Sequence, residues 1–104
     1  MPLLMVKKEV FTWLKTGAKT VEIRRGLGRK GEVAVFQCGP NHLRFKIIKR
    51  ETAKLTQLVN EDTYLLIVPV AGSFHEAMCF LRSLYGAEDG LFTAYYLGQL
   101  QEKK

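Results

Sequence analysis

The sequence predicts an α+β fold in which a mixed or antiparallel β-barrel carries two or three flanking helices. Strand-like and helical patterns follow in the order helix, three strands, helix, a possible strand, helix and strand. This irregular order argues against a doubly wound parallel sheet. The chain of 104 residues has no repeat or linker. A chain of this length buries roughly two-thirds of its unfolded surface, so residues 1–104 are predicted to form one domain.

The first half of the chain is predicted to contain one helix and three strands. Val10, Trp13 and Leu14 recur on one face of a helix over Val6–Thr16, and Gly17 ends that helix. Alternation and β-rich composition predict three strands, Lys19–Arg24, Glu32–Cys38 and His42–Arg50, with a turn at Gly39–Asn41 between the last two.

Helical patterns dominate the second half. The predicted elements are a short helix over Thr52–Val59, a strand or buried connector over Tyr64–Val70, a longer helix over Ser73–Tyr85 and a final strand over Leu91–Leu100. The longer helix is the best defined, because Ser73 and Glu76 form a capping box at its start and Gly86 follows its last residue.

Positive charge is concentrated in the first half of the chain. The net charge is +6, and residues 1–54 hold 13 Lys/Arg against 4 Asp/Glu, whereas residues 55–104 hold 3 against 6. A basic half predicts a polyanionic partner such as RNA, although a solubilising surface has the same composition. The cations assigned to RNA lie in the glycine-rich loop and along the outer face of the third strand, past an irregularity at Ile48: Arg29, Lys30, Arg44, Lys46 and Arg50.

The loop Gly26–Gly31 matches the pattern G-x-G-x-x-G. In a dinucleotide-binding fold this loop opens a helix, but here the strand Glu32–Cys38 follows, so that function is rejected. A kinase-type glycine loop is also rejected, because the chain has no room for the catalytic loop. We expect a flexible basic hairpin or a phosphate contact through Arg29 and Lys30.

Neither a metal nor a cofactor is predicted, and both cysteines are expected to be free thiols. Cys38 and His42, like His75 and Cys79, have a spacing open to zinc, but nothing in the sequence requires the two pairs to meet. No apolar stretch approaches the roughly 18 residues that span a bilayer. The N-terminal residues do not fit a signal peptide. We therefore expect a cytoplasmic protein without a membrane partner.

The strongest candidate site is a charged motif on the first predicted strand. Alternation places Val21 and Ile23 on one face and Glu22 and Arg24 on the other, while Lys19 enters from the preceding turn. An exposed Glu–Arg pair contributes only about 0–1 kcal/mol, so stability alone explains the motif poorly. We expect the three charged side chains to line a concave pocket, with Glu22 in contact with Arg24 or Lys19; a surface ion pair is the alternative.

The chain resembles ASCH domains, small PUA-like barrels associated with RNA, over nearly its whole length. The matching features are the pattern G-x-K-x-x-E-x-R at Gly17, Lys19, Glu22 and Arg24, the tripeptide Gly31-Glu32-Val33, the basic strand through Arg50, the helix start Ser73–Ala77, Tyr85, and Gly90 before the last strand. The resemblance implies a PUA-like barrel whose cleft, between barrel and helices, binds RNA or a nucleoside-like ligand through Lys19, Glu22 and Arg24.

One branch of the ASCH family removes the acetyl group from acetylated cytidine with a lysine, a threonine and a glutamate. Lys19 matches that lysine, but Glu22 stands at the threonine position, and residues 69–72 contain no glutamate. The sequence therefore predicts an RNA- or nucleotide-binding PUA-like module. The alternative is a small hydrolase of a modified nucleoside or of RNA, with Lys19 and Glu22 as its catalytic residues.

Overall fold

The structure is a computed structural model that describes residues 3–86 and 89–99. The elements within these residues are β1 (Leu3–Met5), α1 (Lys8–Thr16), β2 (Val21–Arg25), β3 (Val33–Cys38), β4 (Asn41–Lys54), α2 (Leu55–Leu58), α3 (Tyr64–Ile67), α4 (Phe74–Tyr85) and β5 (Leu91–Gln99). The α+β class is confirmed. The described residues form four helices rather than two or three, because α2 and α3 are single turns of four residues each.

The five strands form one mixed sheet in the order β1-β3-β4-β5-β2. β1 runs parallel to β3, and the other neighbours are antiparallel. In a flat sheet the two edge strands would lie about 19 Å apart, since neighbouring strands are about 4.8 Å apart. Yet Arg24 on β2 donates through Nη2 to the carbonyl of Met5 on β1 at 2.8 Å. The sheet therefore curls into a half-barrel, and Arg24 bridges its two free edges.

The two faces of the sheet bury separate apolar clusters, with Trp13 packed against both. Helix α1 covers the concave face, whose buried cluster is Leu4, Val10, Leu14, Ala34, Phe36, Ile47, Tyr95 and Leu97. Helices α2, α3 and α4 cover the convex face, whose buried cluster is Val21, Ile23, Leu55, Leu58, Val59, Ile67, Val68, Ala77, Met78, Leu81, Phe92 and Ala94. Strand β2 forms the edge where the two layers of helices meet.

Helix α1 ends and helix α4 begins at the residues that the sequence predicted. Gly17 has φ 83°, a left-handed conformation that favours glycine, and its N–H donates to the carbonyl of Leu14 at 3.2 Å. At the start of α4 the hydroxyl of Ser73 accepts from the N–H of Glu76 at 3.1 Å. The carboxylate of Glu76 accepts from the N–H of Gly72 at 2.7 Å. The capping prediction is thus confirmed for Ser73, with the reciprocal bond made one residue earlier.

Several predicted boundaries are wrong. Of the two alternatives for Tyr64–Val70, the strand is wrong: the segment is a connector that contains the helical turn α3 and buries Ile67 and Val68. A short apolar run has no periodicity that separates a strand from a helix. The helix predicted over Thr52–Val59 is shorter in the structure, where α2 covers only Leu55–Leu58 because β4 continues as far as Lys54. The three-residue strand β1 was not predicted. The end of the predicted strand Leu91–Leu100 lies outside the described residues.

A β-bulge divides the basic strand β4. The pairing with β5 shifts register between Ile47 and Lys49, so the chain carries one extra residue at Ile48. Beyond the bulge Arg50 lies opposite Tyr95 on the concave face, whereas Lys46 lies opposite Gly98 and faces away. Since one added residue exchanges the two faces of a strand, the predicted single stripe of Arg44, Lys46 and Arg50 is wrong: the first two face the convex side and the third faces the concave side.

Candidate functional site

Lys19 enters β2 from the turn after α1 and is buried, with 4% of its surface exposed. Its ammonium donates to the carbonyls of Val21 at 2.8 Å and Ile67 at 2.7 Å. It also forms an ion pair with Glu22, whose Oε1 lies 3.3 Å from Nζ. An ammonium has three N–H donors, so these three acceptors satisfy it fully. Burial lowers the pKa of Lys19 below its ordinary value, and the Glu22 carboxylate opposes that shift.

Glu22 is buried between two cations, with 5% of its surface exposed. Its Oε1 faces Lys19, and its Oε2 accepts a hydrogen bond from Nε of Arg24 at 3.1 Å and lies 2.9 Å from Nη2 in an ion pair. The predicted contact of Glu22 with Lys19 or Arg24 is therefore confirmed for both. The cluster of Lys19, Glu22 and Arg24 carries a net charge of +1, and removing any member from this buried site leaves a neighbour without its partner.

Arg24 is the most accessible member of the cluster, with 30% of its side chain exposed. Its Nη2 joins Glu22 to the Met5 carbonyl, as described above. Among contacts within residues 3–86 and 89–99, its Nη1 donates to no acceptor. Arg24 therefore combines a fixed position with free donors, which is the arrangement a ligand-binding arginine needs.

Tyr85, the last residue of α4, completes the edge of β2. Its hydroxyl donates to the carbonyl of Ile23. The backbone groups of Thr20 and Gly26, at the two ends of β2, bond to β5, so the carbonyls of the odd-numbered residues Val21 and Ile23 point to the other edge. Lys19 and Tyr85 satisfy these two carbonyls. Burial raises the pKa of Tyr85, and the nearby Glu22 carboxylate adds to the effect.

The charged cluster borders a cavity of about 390 Å³ between α1, α4 and the edge of β2. We call this cavity the cleft. Its lining residues are Met5, Val6, Lys7, Val10, Trp13, Lys19, Glu22, Arg24, Ile67, Phe80, Leu81, Leu84 and Tyr85. The prediction that Lys19, Glu22 and Arg24 converge on a concave pocket is confirmed. Its volume lies in the range of small-molecule sites, and its apolar walls with a few polar groups are typical of them.

The glycine-rich loop after β2 is attached to the concave face of the sheet. The N–H of Arg29 donates to the hydroxyl of Tyr95 at 2.8 Å, and its carbonyl accepts from Nε of Arg50 at 2.9 Å. The hydroxyl of Thr93 donates to the carbonyl of Gly26 at 2.7 Å. Three side chains thus fix the backbone of a loop for which the sequence predicted flexibility.

The structure distributes the predicted RNA-binding cations over two sides of the sheet. Arg29 and Arg50 lie at the concave side, near the strand edge that Arg24 contacts. Arg44 and Lys46 lie on the convex face of β4, and Lys30 is exposed in the loop. None of these five residues lines the cleft.

The cysteine and histidine pairs that were considered for zinc do not come together in the described residues. His75 Nε2 and Cys79 Sγ lie 3.6 Å apart on the exposed side of α4. Both cysteines are free thiols, as predicted. Within residues 3–86 and 89–99, no three His, Cys, Asp or Glu side chains form a group able to hold a metal ion.

Sequence reasoning missed most of the residues that shape the cleft. Met5 comes from a strand that was not predicted, and Phe80 and Tyr85 come from a helix more than 50 positions after the motif. Trp13 was predicted on the apolar face of the first helix, and it packs against both apolar clusters while also lining the cleft. The signal available in the sequence was the position of Trp13 six residues before Lys19.

Comparisons with known proteins bear on the fold. No protein-family model and no curated protein matches the chain. The structure is similar to the crystal structure of hypothetical protein PH0355, with a TM-score of 0.75 and 15% sequence identity over 96% of this chain and 100% of that one. At this identity the likeness shows a shared fold. In the described part of the chain, no helix has the length and apolar character needed to cross a membrane.

Proposed function

We propose that the protein is an RNA- or nucleotide-binding PUA-like module, similar to ASCH domains, that holds a nucleoside-like group in the cleft. The observation that carries this proposal is the convergence of Lys19, Glu22 and Arg24 beside one apolar cavity of about 390 Å³. A nucleobase has two apolar faces and a polar edge. Trp13, Phe80 and the other apolar walls suit the faces, and the charged cluster suits the edge.

The polar edge of the ligand would meet a fixed set of partners. Arg24 Nη1 is free to donate to a ring nitrogen or carbonyl oxygen. Glu22 accepts three hydrogen bonds or ion-pair contacts, which leaves about one lone-pair direction of a carboxylate for an exocyclic amine. Because Glu22 and Arg24 hold each other in place, they are ordered before the ligand arrives, which favours affinity.

Binding is favoured over hydrolysis by the state of Lys19. A lysine acting as base needs a neutral amine whose lone pair faces the substrate. Burial lowers the pKa of Lys19 and so favours the neutral amine. However, Nζ is enclosed by the carbonyls of Val21 and Ile67 and the carboxylate of Glu22, and only 4% of the residue is exposed, so little of the amine faces the cleft. We therefore predict that the protein releases little or no acetate from acetylated cytidine. A cytoplasmic location stays a prediction from the sequence.

The test uses Trp13, which is the only tryptophan of the chain and lines the cleft. We expect its fluorescence to change when ribonucleosides, ribonucleotides or a single-stranded ribohexamer are titrated into the wild-type protein. Glu22→Gln should weaken binding by about tenfold, because hydrogen bonds to charged groups contribute about 1.5–3 kcal/mol. Glu32→Gln is the matched control, since Glu32 is exposed and outside the cleft.

Two results would contradict the proposal. The first is the absence of any saturable change in Trp13 fluorescence with all three classes of ligand. The second is equal weakening by Glu22→Gln and Glu32→Gln, which would place binding outside the cleft. Release of acetate from acetylated cytidine by the wild type, abolished by Lys19→Ala, would replace the binding function by the hydrolase alternative.

A further inference from the structure

A second hollow adjoins the cleft across Arg24. It has a volume of about 370 Å³ and is lined by Leu3, Leu4, Met5, Arg24, Arg25, Leu27, Arg29, Tyr85 and Tyr95. Met5, Arg24 and Tyr85 also line the cleft, so the hollow and the cleft meet at these three residues. The charged groups in this lining are three arginines, without a carboxylate among the described lining residues.

Two of the arginines hold neighbouring points on the free edge of β1. The N–H of Val6 donates to β3, so the carbonyls of Leu3 and Met5 point to the other side, the free edge. Arg29 donates through Nη1 to the Leu3 carbonyl at 3.3 Å, and Arg24 donates through Nη2 to the Met5 carbonyl at 2.8 Å. Two residues of a strand span about 6.6 Å, so the guanidinium groups are anchored about that far apart.

Both guanidinium groups keep donors for a ligand. Within residues 3–86 and 89–99, Arg24 Nη1 makes no hydrogen bond, and neither do Nε and Nη2 of Arg29. Hydrogen bonds from a guanidinium to a phosphate oxygen are about 2.7–2.9 Å long. A tetrahedral phosphoryl group between the two side chains can therefore accept from both. Its negative charge would also offset the repulsion between the clustered arginines.

We propose that this hollow is a phosphate subsite, which binds the phosphoryl group of a nucleotide whose base occupies the cleft. The inference rests on the proposed function and deepens it, because it makes the ligand a phosphorylated nucleoside, either free or within RNA. Arg29 supplies the hydrogen bonds that are specific to the phosphate. Its backbone is fixed on both sides by Tyr95 and Arg50, so the side chain projects from a rigid base.

The experiment compares four ribonucleosides, their 5′-monophosphates, a single-stranded ribohexamer and inorganic phosphate. Trp13 fluorescence reports the cleft, and the Nε–H resonances of the arginines in nitrogen-15-labelled protein report the hollow. We expect each 5′-monophosphate to bind about tenfold more tightly than its nucleoside, as expected for charge-assisted hydrogen bonds. Inorganic phosphate alone should shift the Nε–H resonance of Arg29.

The variant Arg29→Ala should abolish the advantage of the monophosphates while leaving nucleoside affinity unchanged. Lys30→Ala is the matched control, because it removes one positive charge from the same loop at a position outside the hollow. Arg29→Lys should retain only part of the advantage, since a lysine lacks the planar fork of donors. If Arg29→Ala weakens binding of the hexamer and of the monophosphates equally, the site binds both RNA and free nucleotides. If it weakens binding of only one of these ligands, the site belongs to that ligand.

The subsite is overturned if nucleosides and monophosphates bind equally well, or if Arg29→Ala and Lys30→Ala have equal effects. In either case nucleoside binding seen by Trp13 leaves the cleft proposal intact. If no nucleoside, nucleotide or hexamer changes Trp13 fluorescence, both proposals are overturned together. Wild-type-like backbone amide spectra of the variants establish that a lost affinity does not reflect lost folding.

Discussion

The two free edges of the half-barrel present the same problem and solve it differently. Along β2, the outward carbonyls of Val21 and Ile23 accept from Lys19 and Tyr85, two side chains enclosed by helices. Along β1, the outward carbonyls of Leu3 and Met5 accept from Arg29 and Arg24, whose guanidinium groups reach solvent. Both arrangements cover strand edges that would otherwise invite pairing with another chain.

The side chains that cover the β2 edge serve stability, whereas those that cover the β1 edge also have donors available for a ligand. The three donors of the Lys19 ammonium all contact protein acceptors, so its role is to stabilise the fold. The arginines of the β1 edge have five N–H donors each and use only some of them, so they can hold the structure and a ligand together. Arg24 belongs to both edges and joins them. Four substitutions test this division, from the largest expected effect to the smallest.

Lys19→Met should be the most destabilising substitution. It leaves the carbonyls of Val21 and Ile67 without donors and removes one of two cations beside buried Glu22. Breaking a buried ion pair in this way costs about 3–5 kcal/mol. Urea unfolding followed by circular dichroism measures the free energy of unfolding. Lys30→Met, the same chemical change on an exposed residue, is the control; a similar loss in both variants would show that the Lys19 contacts do not stabilise the β2 edge.

Arg24→Lys should have the next largest effect. The charge is kept, but a lysine cannot contact Glu22 through two nitrogens and the Met5 carbonyl at once. We expect a loss of about 2 kcal/mol from these hydrogen bonds. Because the two edges would no longer be joined, backbone amides of β1 should exchange faster with deuterium. Arg44→Lys on the convex face is the control, and unchanged exchange in β1 would contradict the bridging role of Arg24.

Tyr85→Phe should cost about 1 kcal/mol at neutral pH, the usual contribution of one hydrogen bond. Its effect should also depend on pH. Folding raises the pKa of Tyr85 above its ordinary value near 10, so the native state keeps a proton that the unfolded chain releases at high pH. The free energy of unfolding of the wild type should therefore fall by up to about 1.4 kcal/mol per pH unit above 10.

The phenylalanine variant lacks this group, so its stability should fall less steeply. Urea unfolding of both proteins at pH 9, 10 and 11 gives the comparison, and the other three tyrosines, present in both, cancel. A constant difference between the two proteins across this pH range would contradict the buried, protonated state of Tyr85.

Arg29→Ala should change stability by less than about 0.5 kcal/mol, like most exposed substitutions. Lys46→Ala on the convex face should have an equally small effect. The two should differ in RNA binding. Each phosphate contact on a single strand contributes about −0.7 to the slope of log affinity against log salt. Arg29→Ala should therefore reduce that slope by about 0.7, while Lys46→Ala leaves it unchanged; the opposite ranking would move the RNA surface to the convex side.

The sequence predicted what depends on neighbours along the chain. Gly17 and Ser73 mark helix ends through local hydrogen bonds, and both positions are confirmed. The alternation at Val21–Arg24 correctly gave the apolar and charged faces of β2. The same alternation, with Lys19 in the preceding turn, correctly predicted that Lys19, Glu22 and Arg24 lie together at one pocket.

The features that escaped prediction depend on distant pairing. An irregularity was expected at Ile48, but its consequence for Arg50 requires the register against β5, which local sequence does not contain. β1 is only three residues long and exists because β3 pairs with it. The loop around Arg29 was expected to be flexible. Its anchors Tyr95 and Arg50 lie 66 and 21 positions away along the chain, so the local sequence did not indicate them.

The position of β5 in the sheet has a consequence for biosynthesis. Among the described strands, β2 is paired with β5 alone, and residues 21–25 pair with residues 92–96. A ribosome therefore makes Lys19, Glu22 and Arg24 long before their strand has a partner. Until β5 emerges, β2 lacks the strand that joins it to β4, although the residues that line the cleft have already been made. Ligand binding should thus switch on late and all at once during synthesis, and chains cut short before β5 should aggregate rather than bind weakly.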